Sequence, residues 1–447
     1  MRPQASFILL LFMALAPASR LMAQTDTYNL KACIQYTLDN NPTSTIYANE
    51  VKISRQKTLE YISPYLPQIN GNFTLDDNLK RQTSIIPAGA VNNPEAIKVQ
   101  FGTQYNNGVM GQVDQAIFDQ TMIYASAGIK NTNLVADLNV QKNNETIIYN
   151  TAVAYYQVLI TKEQEKLLVQ NQKKFEELIK VLQLQYDKGA IKKVDVDRVK
   201  VNFNNINAQI TLIQTNYQMA LNTLKNAMGM DLSSSLSVLD TVNYSADIKM
   251  PEYKELNYSN RFDYQVLKAN IALQKIDMNR KKTAFLPSVS AYARYGAQGF
   301  GNDYSKSFQS WFDYATIGLK VTIPLFSGLR RHSQYMQSKF TLTNAELNLK
   351  INENNMQLQQ QNAHTKLLSS FNSLNTNKEN LALAKEVFDN TSLQYQQGAA
   401  SLSDFLNADY SYKEAQSNYI NSLLNFLSAR LDYEKAQGTL VNYINTL

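Results

Sequence analysis

A chain of 447 residues, 44% of them hydrophobic and 18% charged, is long enough for two or three ordinary domains and a large core. The formal net charge of +6 becomes +4 once Arg2 and Arg20 leave with an N-terminal leader, and Lys and Arg are interspersed with Asp and Glu around no recognition motif, which excludes a nucleic-acid partner. A single cysteine excludes an internal disulfide and a cysteine-held metal cluster, and without metal-ligand spacing, a nucleophile with its base or a phosphate loop, neither enzyme chemistry nor a cofactor is predicted.

Residues 1–23 read as a secretory signal peptide, with a basic start at Arg2, an apolar run from Phe7 to Ala16 and a small-residue end at Ala23. The apolar run is too short to span a membrane, and Arg20 follows it. No later stretch reaches the length of a spanning helix, so any membrane insertion has to use strands. A lipid anchor on Cys33 is disfavoured because Asp26 and Lys31 separate it from the apolar run.

The remainder reads as one plan used twice: a first structural repeat at 24–230, an equatorial linker at 231–260 and a second repeat at 261–447. The first repeat predicts a helix around "NNP" (Asn40 to Pro42), strands at about 68–76 and 108–118 around a polar loop, a helix over about 119–187, a turn at 187–195 and another long helix. The second predicts strands at about 286–296 and 315–326, a helix over about 329–397, a turn at 396–404 and a last helix. His332 and His364, in Asn- and Gln-rich helical sequence, are read as surface or groove-facing. No proline falls between Pro94 and Pro251 or after residue 325. At 1.5 Å per residue each longest helix would extend about 100 Å, a length that no globular domain requires and that argues for a tube or bundle with a solvent-filled interior.

The duplication is explicit in the residues. A shift of 209 superimposes Gly189 on Gly398, Gly229 on Gly438, Tyr186 on Tyr395, Ala190 on Ala399 and Asp195 on Asp404. A shift of 220 aligns "YLPQINGNF" with "FLPSVSAYA". The last helix carries an aromatic row at Phe405, Tyr412, Tyr419, Phe426 and Tyr433, with Ala408, Ala415, Ser422, Ala429 and Ala436 three residues after each. This 3,4 spacing predicts a helix-packing seam of large residues against small ones, in a shallow left-handed supercoil. The first-repeat counterparts are Val196, Phe203, Ile210, Tyr217 and Leu224.

The strands alternate. Ile317, Leu319, Val321, Ile323 and Leu325 interleave with Thr316, Gly318, Lys320 and Thr322, and Ile69, Phe73 and Leu75 with Gln68, Asn70, Asn72 and Thr74. A strand with one apolar and one polar face suits the wall of a lipid-facing barrel with water inside. In a bilayer the sheet has to close, and four strands cannot close alone, so copies of the chain must share the barrel. Two copies would supply eight strands and three would supply twelve, and the arithmetic leaves both open. Tyr292, Tyr295, Trp311, Phe312 and Tyr314 are expected in an aromatic girdle. A secreted or periplasmic coiled-coil protein without a pore is the alternative, and it leaves the strands unexplained.

The duplicated plan, "LP" before each odd strand, "IPLFSG" at the end of the last strand, "NNP", and the paired turns "LQYDKGAIKKVD" and "LQYQQGAASLSD" resemble the TolC family of outer-membrane efflux proteins over residues 24–447. The resemblance implies a mainly α fold with a small membrane β part. It implies a homotrimer whose twelve-stranded barrel lies in outer-membrane lipid and continues into a helical tunnel across the periplasm. That channel would be the exit duct of a tripartite efflux or type I secretion system, opened at its tip by a periplasmic adaptor protein and an inner-membrane pump. By resemblance Gly189, Ala190, Gly398 and Ala399 form the adaptor-docking tip, Asp404 and Asn407 line the lumen constriction, and Asp195 pairs with Tyr395 as a closing contact. Read from the residues alone, Asp195 and Asp404 are helix caps. Asn407 and Ala400 depart from the family pattern, which has a second aspartate and an arginine at these positions; a weaker cation preference and a more easily opened tip are expected.

Overall fold

The computed structural model describes residues 27–89, 94–239 and 250–446. The expected signal peptide and residues 240–249 of the linker lie outside the described residues. In chain order the elements are β1 (Thr27–Tyr28), α1 (Leu30–Asn40), α2 (Pro42–Ile62), β2 (Gln68–Asp77), β3 (Thr83–Ile86), β4 (Ile97–Gln100), β5 (Tyr105–Phe118), α3 (Gln120–Asp187), α4 (Lys193–Met228), β6 (Ser237–Val238), α5 (Phe262–Thr283), β7 (Ser288–Gly301), β8 (Trp311–Thr322), α6 (Arg330–Gln396), α7 (Leu402–Gln437) and α8 (Leu440–Thr446).

Short polar side chains start several of the helices. Asn29 accepts from the Ala32 amide to cap α1, and Asp119 accepts from Thr121 to cap α3. Asn41 caps α2 with Pro42 in the first turn, where the missing N–H costs nothing. Pro67 and Pro287 likewise stand just outside β2 and β7, before the ladders begin.

The four long strands form one antiparallel sheet in the order β2-β5-β7-β8. Each repeat supplies one pair, and β5 joins β7 with Gly111 opposite Tyr295. The last strand runs from Trp311 to Thr322 rather than over 315–326, because Pro324 has no N–H to continue the ladder and leaves "IPLF" outside the sheet. β7 and β5 are longer than expected, and the polar loop between β2 and β5 carries its own hairpin, β3 with β4.

Every long strand continues into a helix, so the layer α2, α3, α5, α6 repeats the strand order, with α3 packed on α2 and α5, and α5 on α6. Farther from the sheet, α3 packs on α4 and α6 on α7 as two hairpins, which meet where α3 touches α7. At 68 residues, α3 is about 100 Å long at 1.5 Å per residue.

The largest core lies midway along the helices, where Cys33, Tyr155, Leu224, Leu374, Ala429 and Leu440 belong to one buried cluster. Both repeats are fastened here alike: Asn41 donates to the Ala227 carbonyl at 2.9 Å and Arg261 to the Ala436 carbonyl at 3.4 Å. A two-residue parallel pairing of β1 with β6 ties the N-terminal segment to the linker. His364 sits in a groove between Tyr253 and Tyr433.

Candidate functional site

The far ends of the two hairpins turn identically. Gly189 and Gly398 both have φ of 73°, the left-handed region open to glycine. In the first turn the Gly189 amide donates to the Tyr186 carbonyl and the Ala190 amide to Gln185; in the second, Gly398 donates to Tyr395 and Ala399 to Gln394. These are the paired reverse bonds of a helix ending at a left-handed glycine. All four residues are exposed at the end of the molecule. Ala190 and Gly398 line an open groove of about 720 Å³ between the hairpins, together with Lys174, Phe388, Tyr395 and Ala400.

The cap reading of the two aspartates needs correction. Ser401, not Asp404, is the N-cap of α7: its hydroxyl accepts from the Asp404 amide at 3.2 Å, and the Asp404 carboxylate accepts from the Ser401 amide at 3.1 Å. The carboxylate also accepts from the Ser401 hydroxyl at 2.7 Å, and these bonds hold it below the usual carboxylate range. Lys192 stands at the N-cap of α4 with no side-chain cap bond, and Asp195 lies in the first turn, 4.0 Å from Arg198.

Asp404 and Asn407 are exposed one turn apart on α7, while Phe405 and Ala408 beside them are buried. Tyr395 stacks on Phe405 with centroids 5.3 Å apart. Burial and, secondarily, the nearby Asp195 charge raise its phenol above the ordinary value, yet no hydrogen bond joins the two among the described residues. The pair is close without being closed.

The seam residues pack against α6. Phe405 and Tyr412 meet Phe388, Phe426 meets Phe371 and Tyr433 meets His364, with centroids 5.4 to 5.9 Å apart. Tyr419 is half-buried against the central core. Ala429 in the small row is fully buried.

At the opposite end, register sorts the sheet into two faces. Ile69, Phe73, Val109, Val113, Tyr295, Ile317, Leu319 and Val321 share one face, and Asn70, Asn72, Gln112, Asp114, Arg294, Thr316 and Lys320 the other. Among the described residues nothing covers the apolar face, with Ile317 86% exposed. Of the five girdle candidates only Tyr295 and Trp311 lie on it. Tyr292 and Tyr314 stand on the polar face against Gly318 and Gly296, the glycines directly opposite them, where a side chain would collide with the rings. Phe312 shares that face. Tyr105, Tyr304 and Phe308, which the sequence reading did not single out, join Trp311 in a chain of edge contacts 5.3 to 6.3 Å apart.

Sequence reasoning also missed Ser401, although the spacing Ser401 to Asp404 is that of a capping box. It missed the Asp409–Lys413 pair, visible as an i, i+4 spacing on one helix. Lys174 and Phe175, which reach these residues from α3, carry no local signal.

The comparisons agree with this geometry. The outer membrane efflux protein family matches residues 65–230 and 256–442. The outer membrane protein TolC of Escherichia coli is 21% identical over 413 residues, covering 88% of this chain and 79% of that protein. The crystal structure of CusC superimposes with a TM-score of 0.75 at 15% identity, covering 91% of each chain. That of the Campylobacter jejuni CmeC outer membrane channel gives 0.71 at 17% identity, covering 98% of this chain and 94% of that one. A duplicated hairpin plan, a two-faced sheet continuous with it and a family match across both repeats place the chain at the outer membrane, as a member of the outer membrane efflux protein family.

Proposed function

We propose that three copies of this chain form a channel-tunnel through the outer membrane, the exit duct of a tripartite efflux or type I secretion system. The observation that carries this reading is the four-stranded sheet with one polar and one apolar face and an unpaired edge on both β2 and β8, each strand joined at one end to a helix of the tunnel layer. Backbone groups facing lipid have to be paired, so β8 of one copy completes its ladder on β2 of the next. Three copies give twelve strands, the count expected from the family resemblance. The polar face then lines the water-filled duct, and the apolar face meets the lipid.

The far ends of the hairpins form the gate. Asp404 and Asn407, both exposed, line its constriction, and Asp195 near Tyr395 contributes to closure. Gly189, Ala190, Gly398 and Ala399 present the tip to a periplasmic adaptor, through which an inner-membrane pump acts. Because Asn407 is uncharged, one carboxylate per copy remains at the constriction, and this single ring attracts cations only moderately. Detergent-purified protein is expected to image as a long threefold tube and to conduct in planar bilayers with a modest cation preference that Asp404→Asn removes. Strong cation selectivity unchanged in that variant overturns the constriction assignment, and a stable folded monomer in buffer without detergent overturns the channel.

A further inference from the structure

A charged clasp joins the two hairpins about two to four helical turns above the tip. Lys413 on α7 holds its ammonium 4.0 Å from the centre of the Phe175 ring on α3. Lys174, the neighbour of Phe175, reaches the other way, 5.1 Å from the Phe388 ring on α6 and 6.0 Å from Tyr412 on α7. Each hairpin therefore places a cation over a ring of the other. Asp409 lies within this clasp at 5% exposure, its carboxylate 2.6 Å from the Lys413 ammonium.

The turns below offer no comparable bond. Asp195 is paired within its own helix, Asp404 is held by its own cap, and Ala400 has no polar group. Near the tip, the charged contact between hairpins among the described residues is the clasp. We propose that the lysine–ring clasp around Asp409 is the latch of the gate: α3 and α7 part there when the tip opens, and the buried carboxylate makes the parting respond to pH. This rests on the reading of the tip as a gate.

The sign follows from the burial. Desolvation holds the Asp409 carboxyl above its ordinary range, although Lys413 and Lys174 pull it down. Those two lysines are the charged groups acting on it; from α6, Phe388 packs against this part of α7, and Lys385 faces Tyr412 while paired with Asp389 on its own helix. Once α3 lifts away, water reaches the carboxylate and the shift disappears. The closed form thus holds its proton more tightly than the open form, so acidification favours closure, and this bias is lost as the pH rises through the closed-state value. Within one copy the Ser401 bonds shift Asp404 in the opposite direction, and Asp409→Asn separates any response of the Asp404 ring from that of Asp409.

The test is planar-bilayer conductance of the purified full-length oligomer between about pH 7 and about pH 4.5. Wild-type conductance is expected to fall about threefold on acidification, and Asp409→Asn to be low and flat across the range. At neutral pH, Lys174→Gln and Phe175→Leu are expected to raise conductance about threefold, with Lys174→Arg restoring it because guanidinium also binds a ring face. Lys180→Gln, on the same helix outside the clasp, serves as the unchanged control. A wild-type pH profile in Asp409→Asn, or wild-type conductance in both Lys174→Gln and Phe175→Leu, overturns the latch. If Asp409→Asn fails to assemble, Lys174→Gln at the exposed rim decides. Absence of pores in every variant and in the wild type strikes the channel reading itself, a separate outcome.

Discussion

Cys33 and Asp404 show how position alone gives side chains opposite characters. The Cys33 thiol has no solvent exposure, and burial pushes it up to about 12. It is therefore a packing group, with the thiolate needed for reaction suppressed. Maleimide at about pH 8 is expected to leave folded oligomer unlabelled and to label it fully after denaturation, read by intact mass; rapid labelling of the folded protein contradicts the packing. Asp404, fully exposed, has its charge fixed by two groups of one serine. Its place in the second tip was legible from the spacing to Gly398; its role in a capping box was signalled by the spacing to Ser401 and was missed.

Among the elements, α7 is explained by its seam. Aromatic residues at one row and small residues at the other let it lie close on α6, and the contacts of Phe405, Phe426 and Tyr433 with Phe388, Phe371 and His364 follow the predicted period. The small row is not uniform, which the sequence does not announce: Ala429 is fully buried, whereas Ala415 is partly exposed. Ala429→Leu is expected to cost about 2 kcal/mol by overpacking, seen as a lower temperature for loss of the oligomer. Ala415→Leu is expected to change that temperature far less. Equal effects would mean that the row does not set the helix spacing. The strands were legible as alternation, but their ends were displaced: Pro324 stops β8 early, and hairpin contacts lengthen β7.

For the molecule as a whole, the two-faced sheet is what separates lipid from water in the proposed barrel. Ile317 and Thr316 are adjacent in sequence and lie on opposite faces. At mid-bilayer an arginine on the lipid side costs about 2–4 kcal/mol, whereas on the water side it meets solvent. Ile317→Arg is accordingly expected to reduce recovery of heat-modifiable oligomer from outer membranes severalfold, and Thr316→Arg to leave it near wild type. The reverse pattern would exchange the two faces and with them the direction of the duct. The same scale explains α6, whose buried residues are few for its 67-residue length. Exposed Phe340, Leu347, Ile351 and Leu358 form a stripe along it that the proposed neighbouring copies would cover.

The amino-acid sequence by itself determined the duplication, the two pairs of alternating strands, the long helices and the turn at each tip, because these are written in local periodicity and in single residues such as Gly189 and Gly398. Tertiary structure alone decided which aromatic rings face lipid, that Asp195 and Tyr395 are near each other without a hydrogen bond, and that Lys174, Phe175, Asp409 and Lys413 meet. Local pattern fixes a residue's face on its own element. Which face of another element it meets depends on register and on helix rotation, and these are set by the packing of residues hundreds of positions apart.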